Sequence, residues 1–388
     1  MRIALLSWES LHSIPVGGVG AHVTELGAAL QRRGHDVHVF TRIGPGQPDY
    51  SLVDGVHYHR CPCPGHRDFV QEIERMCDAF WWRLEQTERC LGAGFDIIHG
   101  HDWLCVRGLV RARQAERNRV VMTIHSTEYG RCGNQHRGGM SHRIGHMEWE
   151  GTQAAAQVIC VSGVLKLETQ QLYAAQEDKL NVVYNGVSAH QFEHPLDVGA
   201  FRRPFGIGPM DPMILFAGRM STQKGPDLLM ECIPALVRHH SRLKVAFVGQ
   251  GDMLNGLQRR AHELGVWHAV RFLGYRAGQE LANLFKSADI VCVPSRNEPF
   301  GIVILEAWAS GKPVIATRNG GPAEFVEHGR DGMMAIDHPD SIGWGLGTLL
   351  NDFDRARWMG ENGRHKARTQ FSWDHIALQT EEVYSRTN

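Results

Sequence analysis

The sequence predicts an α/β protein made of two doubly wound, parallel-sheet domains. Three observations carry this. The chain has 388 residues, more than one ordinary core accommodates. Short apolar runs alternate with amphipathic stretches through both halves, the pattern of parallel strands whose faces are covered by helices. Glycine-rich turns follow several of these runs, where a strand would pass into a helix.

In order along the first half, strands are expected at 2–7, 36–41, 55–60, 97–99, 120–124, 157–160 and 180–183. In the second half they are expected at 213–217, 243–248, 269–273, 289–293, 313–316 and 333–335. Helices fall between them, for example at 21–33, 225–239, 253–264 and 279–287. Asn185-Gly186 is a turn signal, so the joint is placed there: residues 1–187 form the first domain and 188–370 the second. Residues 371–388 contain a helix, 373–385, with no strand after it, which is expected to cross back and brace the first domain.

Composition narrows the function classes. With 41 basic and 42 acidic side chains the net charge is −1, which excludes a broad nucleic-acid or anionic-membrane surface but leaves room for a local basic pocket. No apolar run is long enough to span a membrane, and no leader is visible. The nine cysteines are an odd number, so free thiols in a reducing cytoplasm are expected. The 23 histidines predict charge that changes steeply near pH ~6.

The most informative run is Arg296-Asn297-Glu298-Pro299-Phe300-Gly301, leading into Ile302 and on to Glu306. A buried strand precedes it and a helix follows, so Glu298 sits on a strand-to-helix loop and Glu306 about two turns into the helix. Phe300 shares the loop, and the N–H groups of Gly301, Ile302 and Val303 would point from the helix start toward an anion. Two carboxylates flanking a phosphate site can hold hydroxyls on either side of it, which suits a nucleotide-sugar.

Other strand ends carry compatible chemistry. In Gly218-Arg219-Met220-Ser221-Thr222-Gln223-Lys224-Gly225, Arg219 can grip a phosphate with its fork and Lys224 can add a point charge. Two such cations ask for anionic compensation, which a diphosphate leaving group supplies. Tyr275, after another strand, can stack on a base or simply cover the sheet edge. Asn319-Gly320-Gly321 is a further strand-to-helix turn aimed at the same place. In the first half, Gly17-Gly18 opens a helix, and their missing Cβ atoms allow a ligand's phosphate, or only the chain itself, to come close. His99-Gly100-His101-Asp102-Trp103 and Thr123-Ile124-His125 also end strands, where ligands of open α/β sheets collect. Asp102 can alternatively cap the next helix. His57, His59, Cys61 and Cys63 alternate on one strand face, but Cys-x-Cys-Pro lacks the partner knuckle of a zinc pattern, so no metal is assigned.

These pieces, in this order, resemble glycosyltransferase family 4, and most closely the short bacterial and archaeal glycogen synthases within it. The resemblance covers nearly the whole chain. It implies the GT-B fold: two facing Rossmann-like domains with an interdomain cleft, the first on the acceptor side and the second binding the donor. It also implies retaining, metal-independent transfer with no cofactor, the donor being a nucleoside-diphosphate sugar, ADP- or UDP-glucose by preference. By resemblance Arg219 and Lys224 hold the diphosphate, Glu298 the transferred sugar and Glu306 the ribose. His125 lies beside the sugar, and Asp102 orients donor or acceptor. The expected acceptor is an α-1,4-glucan. A small sugar, a sugar phosphate or a lipid-linked glycan is the alternative, and nucleotide-sugar epimerisation a more distant one. The longer synthases carry Lys-Thr-Gly-Gly in the first loop, where this chain has Pro15-Val16-Gly17-Gly18 and so lacks a phosphate-binding lysine. The stretch 126–146 also differs from theirs and is expected on the acceptor side.

Overall fold

The computed structural model describes residues 1–117 and 119–387. The chain divides into two compact units, Met1–Asn185 with Trp373–Asn388, and Gly186–Ser372.

Among the described residues the first unit holds eight strands: β1 (Arg2–Leu6), β2 (Asp36–Arg42), β3 (Tyr50–Val53), β4 (Val56–Cys61), β5 (Ile97–His101), β6 (Val120–Ile124), β7 (Gln157–Cys160) and β8 (Leu180–Val182). They lie in the order β3-β4-β2-β1-β5-β6-β7-β8. All neighbours are parallel except β3, which pairs antiparallel with β4 at the edge. The sequence reading missed β3. Its exposure alternates along Tyr50–Val53, so only two of its four residues are partly covered, and it lacks the apolar density of the inner strands.

The second unit holds β9 (Met213–Ala217), β10 (Lys244–Val248), β11 (Val270–Gly274), β12 (Ile290–Val293), β13 (Val314–Thr317) and β14 (Gly332–Ala335). Their order is β11-β10-β9-β12-β13-β14, every pair parallel. Counted from the first strand of the unit, this is 3-2-1-4-5-6, the order of dinucleotide-binding Rossmann domains. Inner strands such as β12, Ile-Val-Cys-Val, are buried along their whole length. That is why they read as continuous apolar runs rather than alternating ones.

Helix Trp373–Ser385 belongs to the first unit although the second intervenes in the chain. Trp373, Ile376, Val383 and Tyr384 enter the same core cluster as Ile3, Leu5, Leu26 and Val39. Arg32, the last residue of helix Gly18–Arg32, and Arg33 just after it pair with Asp374 at 2.6 Å and Glu381 at 2.5 Å. The aromatic burial dominates: each large ring removed from water is worth about 4–6 kcal/mol at ~25 cal/mol per Å², and exposed ion pairs far less.

Candidate functional site

In each sheet the strand order reverses once, and loops leaving the carboxyl ends of the two strands at that point face a common crevice. In the second unit these strands are β9 and β12. The loop after β9 carries Lys224, and the loop after β12 carries Glu298. The Lys224 ammonium donates to both oxygens of Glu298 at 2.8 Å, and the Ser295 hydroxyl donates to Oε2 at 2.8 Å. Glu298 is 5% exposed. Arg219, on the same loop as Lys224, is exposed and has no carboxylate partner among the described residues.

Backbone contacts hold these loops together, and glycine makes them possible. Gln223 O accepts from Arg296 N at 2.8 Å, and a Cβ on Gly225 (φ 63°) would stand 2.2 Å from Pro294 O. Glu298 N donates to Asn319 O and Glu298 O accepts from Gly321 N, both at 2.9 Å. A Cβ on Gly320 (φ 109°) would stand 2.0 Å from Glu298 O. The Asn319-Gly320-Gly321 turn is therefore a clamp on the Glu298 backbone.

Gly301 (φ 100°) starts helix Ile302–Ala309, which no side chain caps. Phe300 is not open to a ligand: its ring is 2% exposed and packs on Phe325 and Phe371, so only its backbone can face the loop. Glu306 is half-buried, its carboxylate accepts no hydrogen bond among the described residues, and burial pushes its carboxyl up to about 7. Tyr275 is 48% exposed after β11.

In the first unit the order reverses between β1 and β5. Asp102 follows β5 with φ 59°, an uncommon conformation for a residue with a side chain. It does not cap the next helical turn. Its Oδ1 accepts the His125 N–H at 2.7 Å instead, tying the end of β5 to the end of β6. Burial raises the Asp102 carboxyl and lowers the His125 imidazole to about 3, so the His125 ring is neutral at ordinary pH.

Two carboxylates that sequence reasoning passed over organise this end of the sheet. Glu9, after β1, accepts Val16 N–H at 2.7 Å and Gly17 N–H at 2.5 Å through Oε2. The Gly17 N–H, expected to meet a ligand phosphate, thus points at an internal anion, and the space beside Gly20 is filled by the same carboxylate. Glu148, 1% exposed on helix Met140–Ala154, binds the Arg131 guanidinium at 2.6 Å and the Glu128 N–H at 2.9 Å, and accepts a hydrogen bond from the Tyr173 hydroxyl. Arg131 donates onward to the Ser126 carbonyl at 2.9 Å. The one signal was a carboxylate at a position in register with apolar Ile144, Met147 and Gly151.

Residues 16–191 match the family described as Glycosyltransferase Family 4, and residues 197–366 match Glycosyl transferases group 1. An uncharacterized glycosyltransferase of Methanocaldococcus jannaschii is 37% identical, over 99% of this chain and 98% of its own length. The chain belongs to the family 4 glycosyltransferases. A glycogen synthase of Mycobacterium tuberculosis is 28% identical over 99% of this chain and 94% of its own. The sucrose-phosphate synthase of Thermosynechococcus elongatus superposes with a TM-score of 0.83 at 24% identity, covering 99% and 98% of the two chains, which places both in the GT-B fold.

Within this family 4 enzyme the histidines divide into two kinds. His99 is fully partnered, to Tyr384 Oη at 2.8 Å and Thr123 Oγ1 at 2.7 Å, and holds the last helix to the sheet. His101, two residues on, makes one side-chain hydrogen-bond contact among the described residues, with His125, 3.2 Å between ring nitrogens. The alternating set at the sheet edge does not converge. Cys61 is buried with its thiol pushed up to about 12 by burial, and Cys63 Sγ lies 3.9 Å from Glu72. Among the described residues, the groups able to offer three ligands are His22–His101–His125 and Asp36–His38–His57, and neither includes a cysteine. No helix among the described residues is long and apolar enough to cross a membrane.

Proposed function

We propose that this glycosyltransferase moves glucose, with retention, from ADP- or UDP-glucose to a hydroxyl of an α-1,4-glucan in the cytoplasm. The observation that carries the reading is the Lys224–Glu298 pair at 2.8 Å beside the exposed Arg219. In it Arg219 and Lys224 take the diphosphate and stabilise the charge that develops as it leaves, where preorganised cations matter most. These cations meet the need for positive charge, so the transfer step uses no metal. Glu298 accepts hydroxyls of the transferred sugar, and Glu306 accepts those of the ribose. The Glu298 carboxylate is already held by three hydrogen bonds, which makes it a poor covalent nucleophile and favours attack by the acceptor on the face the diphosphate leaves. In the first unit His125, neutral and fixed through Asp102, lies beside the sugar, and the stretch 126–146 serves the acceptor. The likeness to a glycogen synthase supports the glucan.

A second reading, with a small sugar phosphate or lipid-linked acceptor, is favoured by the first loop. Its Gly17 N–H is taken by Glu9 and no lysine stands beside it, unlike the longer glucan synthases. The deciding experiment supplies ADP-, UDP- and GDP-hexoses and scores nucleoside diphosphate release with and without glycogen or maltooligosaccharide. Release from a glucose donor that rises with glucan supports the synthase. Release indifferent to glucan moves the acceptor to the second reading. Conversion of donor with no nucleoside diphosphate released indicates epimerisation and sinks both.

A further inference from the structure

We infer that a cavity in the second unit, at the far end of the helix that carries Glu306, is a binding site for a small phosphorylated metabolite. The cavity holds about 560 Å³, within the range of small-molecule sites. Lys286, Arg364 and Arg368 line it together with Ser310, and Phe192 and Leu196 give it an apolar wall. It lies at Ala309 and Ser310, where helix Ile302–Ala309 ends, whereas the loops of Lys224 and Glu298 meet at the start of that helix. The eight residues of the helix put about 12 Å between the two places.

Three cations gather there, and their partners do not use them up. The Lys286 ammonium donates to the His194 carbonyl and has no carboxylate partner among the described residues. Arg368 pairs with Glu193 at 2.8 Å, but both side chains are about half exposed, so the pair is weak and a ligand can replace it. Arg364 meets Glu361 through Nη2 at 2.8 Å, while its Nε is buried without a hydrogen-bond partner. A buried donor without an acceptor needs a reason, and an oxygen of a bound anion supplies one. The guanidinium fork suits phosphate in particular. Gly311 leaves the room in which it sits: a Cβ there (φ 71°) would stand 2.5 Å from Arg364 Nη2.

The plainer explanation is that these cations complement the partial negative charge at the end of the helix. One cation is enough for that. The cavity has three, against the single lining carboxylate of Glu193. The volume and the apolar wall exceed what inorganic phosphate fills, so the phosphate belongs to a larger molecule.

The test is calorimetric titration of the full chain with ribose 5-phosphate as probe and ribose as its unphosphorylated control, which needs no transferase assay. Binding of the phosphate and none of ribose is expected. Lys286→Gln, Arg364→Gln and Arg368→Gln should each weaken it at least ~10-fold, the scale of one charged hydrogen bond. Lys224→Ala, at the other end of the helix, should leave the affinity within about twofold. Thermal melts check that each variant folds, and the half-exposed Arg368 keeps the test open should Arg364→Gln fail to. No binding to the wild-type chain, equal binding of ribose, or binding that survives all three substitutions would overturn the site. Loss in Lys224→Ala would overturn it too, by placing the probe in the donor loops, and would leave the proposed transfer reaction standing.

Discussion

The strand ends of the two units solve different problems. In the second unit the ends of β9 and β12 carry formal charge, Arg219, Lys224 and Glu298, on loops whose backbones touch through glycine. In the first unit the ends of β5 and β6 carry neutral imidazoles, with buried carboxylates spent on backbone N–H groups. The contrast teaches that one unit is built to meet an anion, while the other is built to hold a shape around uncharged groups. The reaction proposed above, with a nucleotide-sugar donor and a sugar hydroxyl acceptor, would call for that division.

The largest expected effect breaks the charged half. Lys224→Ala and Glu298→Ala should each lower turnover at least ~100-fold with the fold intact, because in the proposed reaction each removes a contact to the reacting sugar or its leaving group. Near-normal steady-state rates in either variant would remove that residue from the mechanism.

In the first unit, Glu148→Ala should destabilise by about 3 kcal/mol, since it removes one of the two carboxylate partners of the mostly buried Arg131, leaving Glu128, and unpairs the Glu128 N–H and the Tyr173 hydroxyl. Urea denaturation of variant and wild type measures this. An unchanged midpoint would show that the loop after β6 does not depend on the network.

The units should also differ in their response to pH. In the proposed reaction Glu306, raised to about 7, accepts the ribose hydroxyls best when ionised, so donor KM should fall as pH rises through 7. Glu306→Gln should erase that inflection, and a pH–KM profile unchanged in the variant would refute the assignment. For the first unit the effect is on stability. His38 and His59 are lowered to about 4 and about 3 by burial, so between their ordinary 6.5 and those values the unfolded chain binds more protons than the folded one. Stability should therefore fall as pH drops below 6.5, continuing toward 3, and His59→Gln should flatten the slope in thermal melts taken across that range.

The smallest effect expected is at Tyr275. Replacing this exposed ring by Ala should raise donor KM by less than about tenfold, the scale of one stacking contact, and leave the melting temperature unchanged.

Much of this was legible in the sequence. Inner strands such as β6 and β9 coincide with their apolar runs because parallel strands are buried on both faces. Helix Trp373–Ser385 was visible in its bounds, because amphipathic spacing survives whatever partner covers it. The Glu298–Lys224 contact was not visible, since 74 residues separate the two and only the parallel sheet brings their loops together. Glu9 and Glu148 were hidden for a related reason. A carboxylate whose partner is a distant backbone N–H leaves no spacing pattern. The histidines misled by number: of the 23, His22, His38, His59, His99 and His101 are buried, His125 is partly so, and all six are held neutral, so they add no charge near pH 6.5.

Helix Trp373–Ser385 has a consequence for the order in which the protein is made. The ribosome releases the first strand of the first unit early, but the helix that seals its core leaves the exit tunnel only after the entire second unit. The second unit can reach its native state during translation, while the first must wait with Leu26 and Val39 partly uncovered. Its nascent form is thus the longer-lived client for chaperones, and a stalled or nicked chain lacking that helix would leave an unfinished first unit joined to a completed second one.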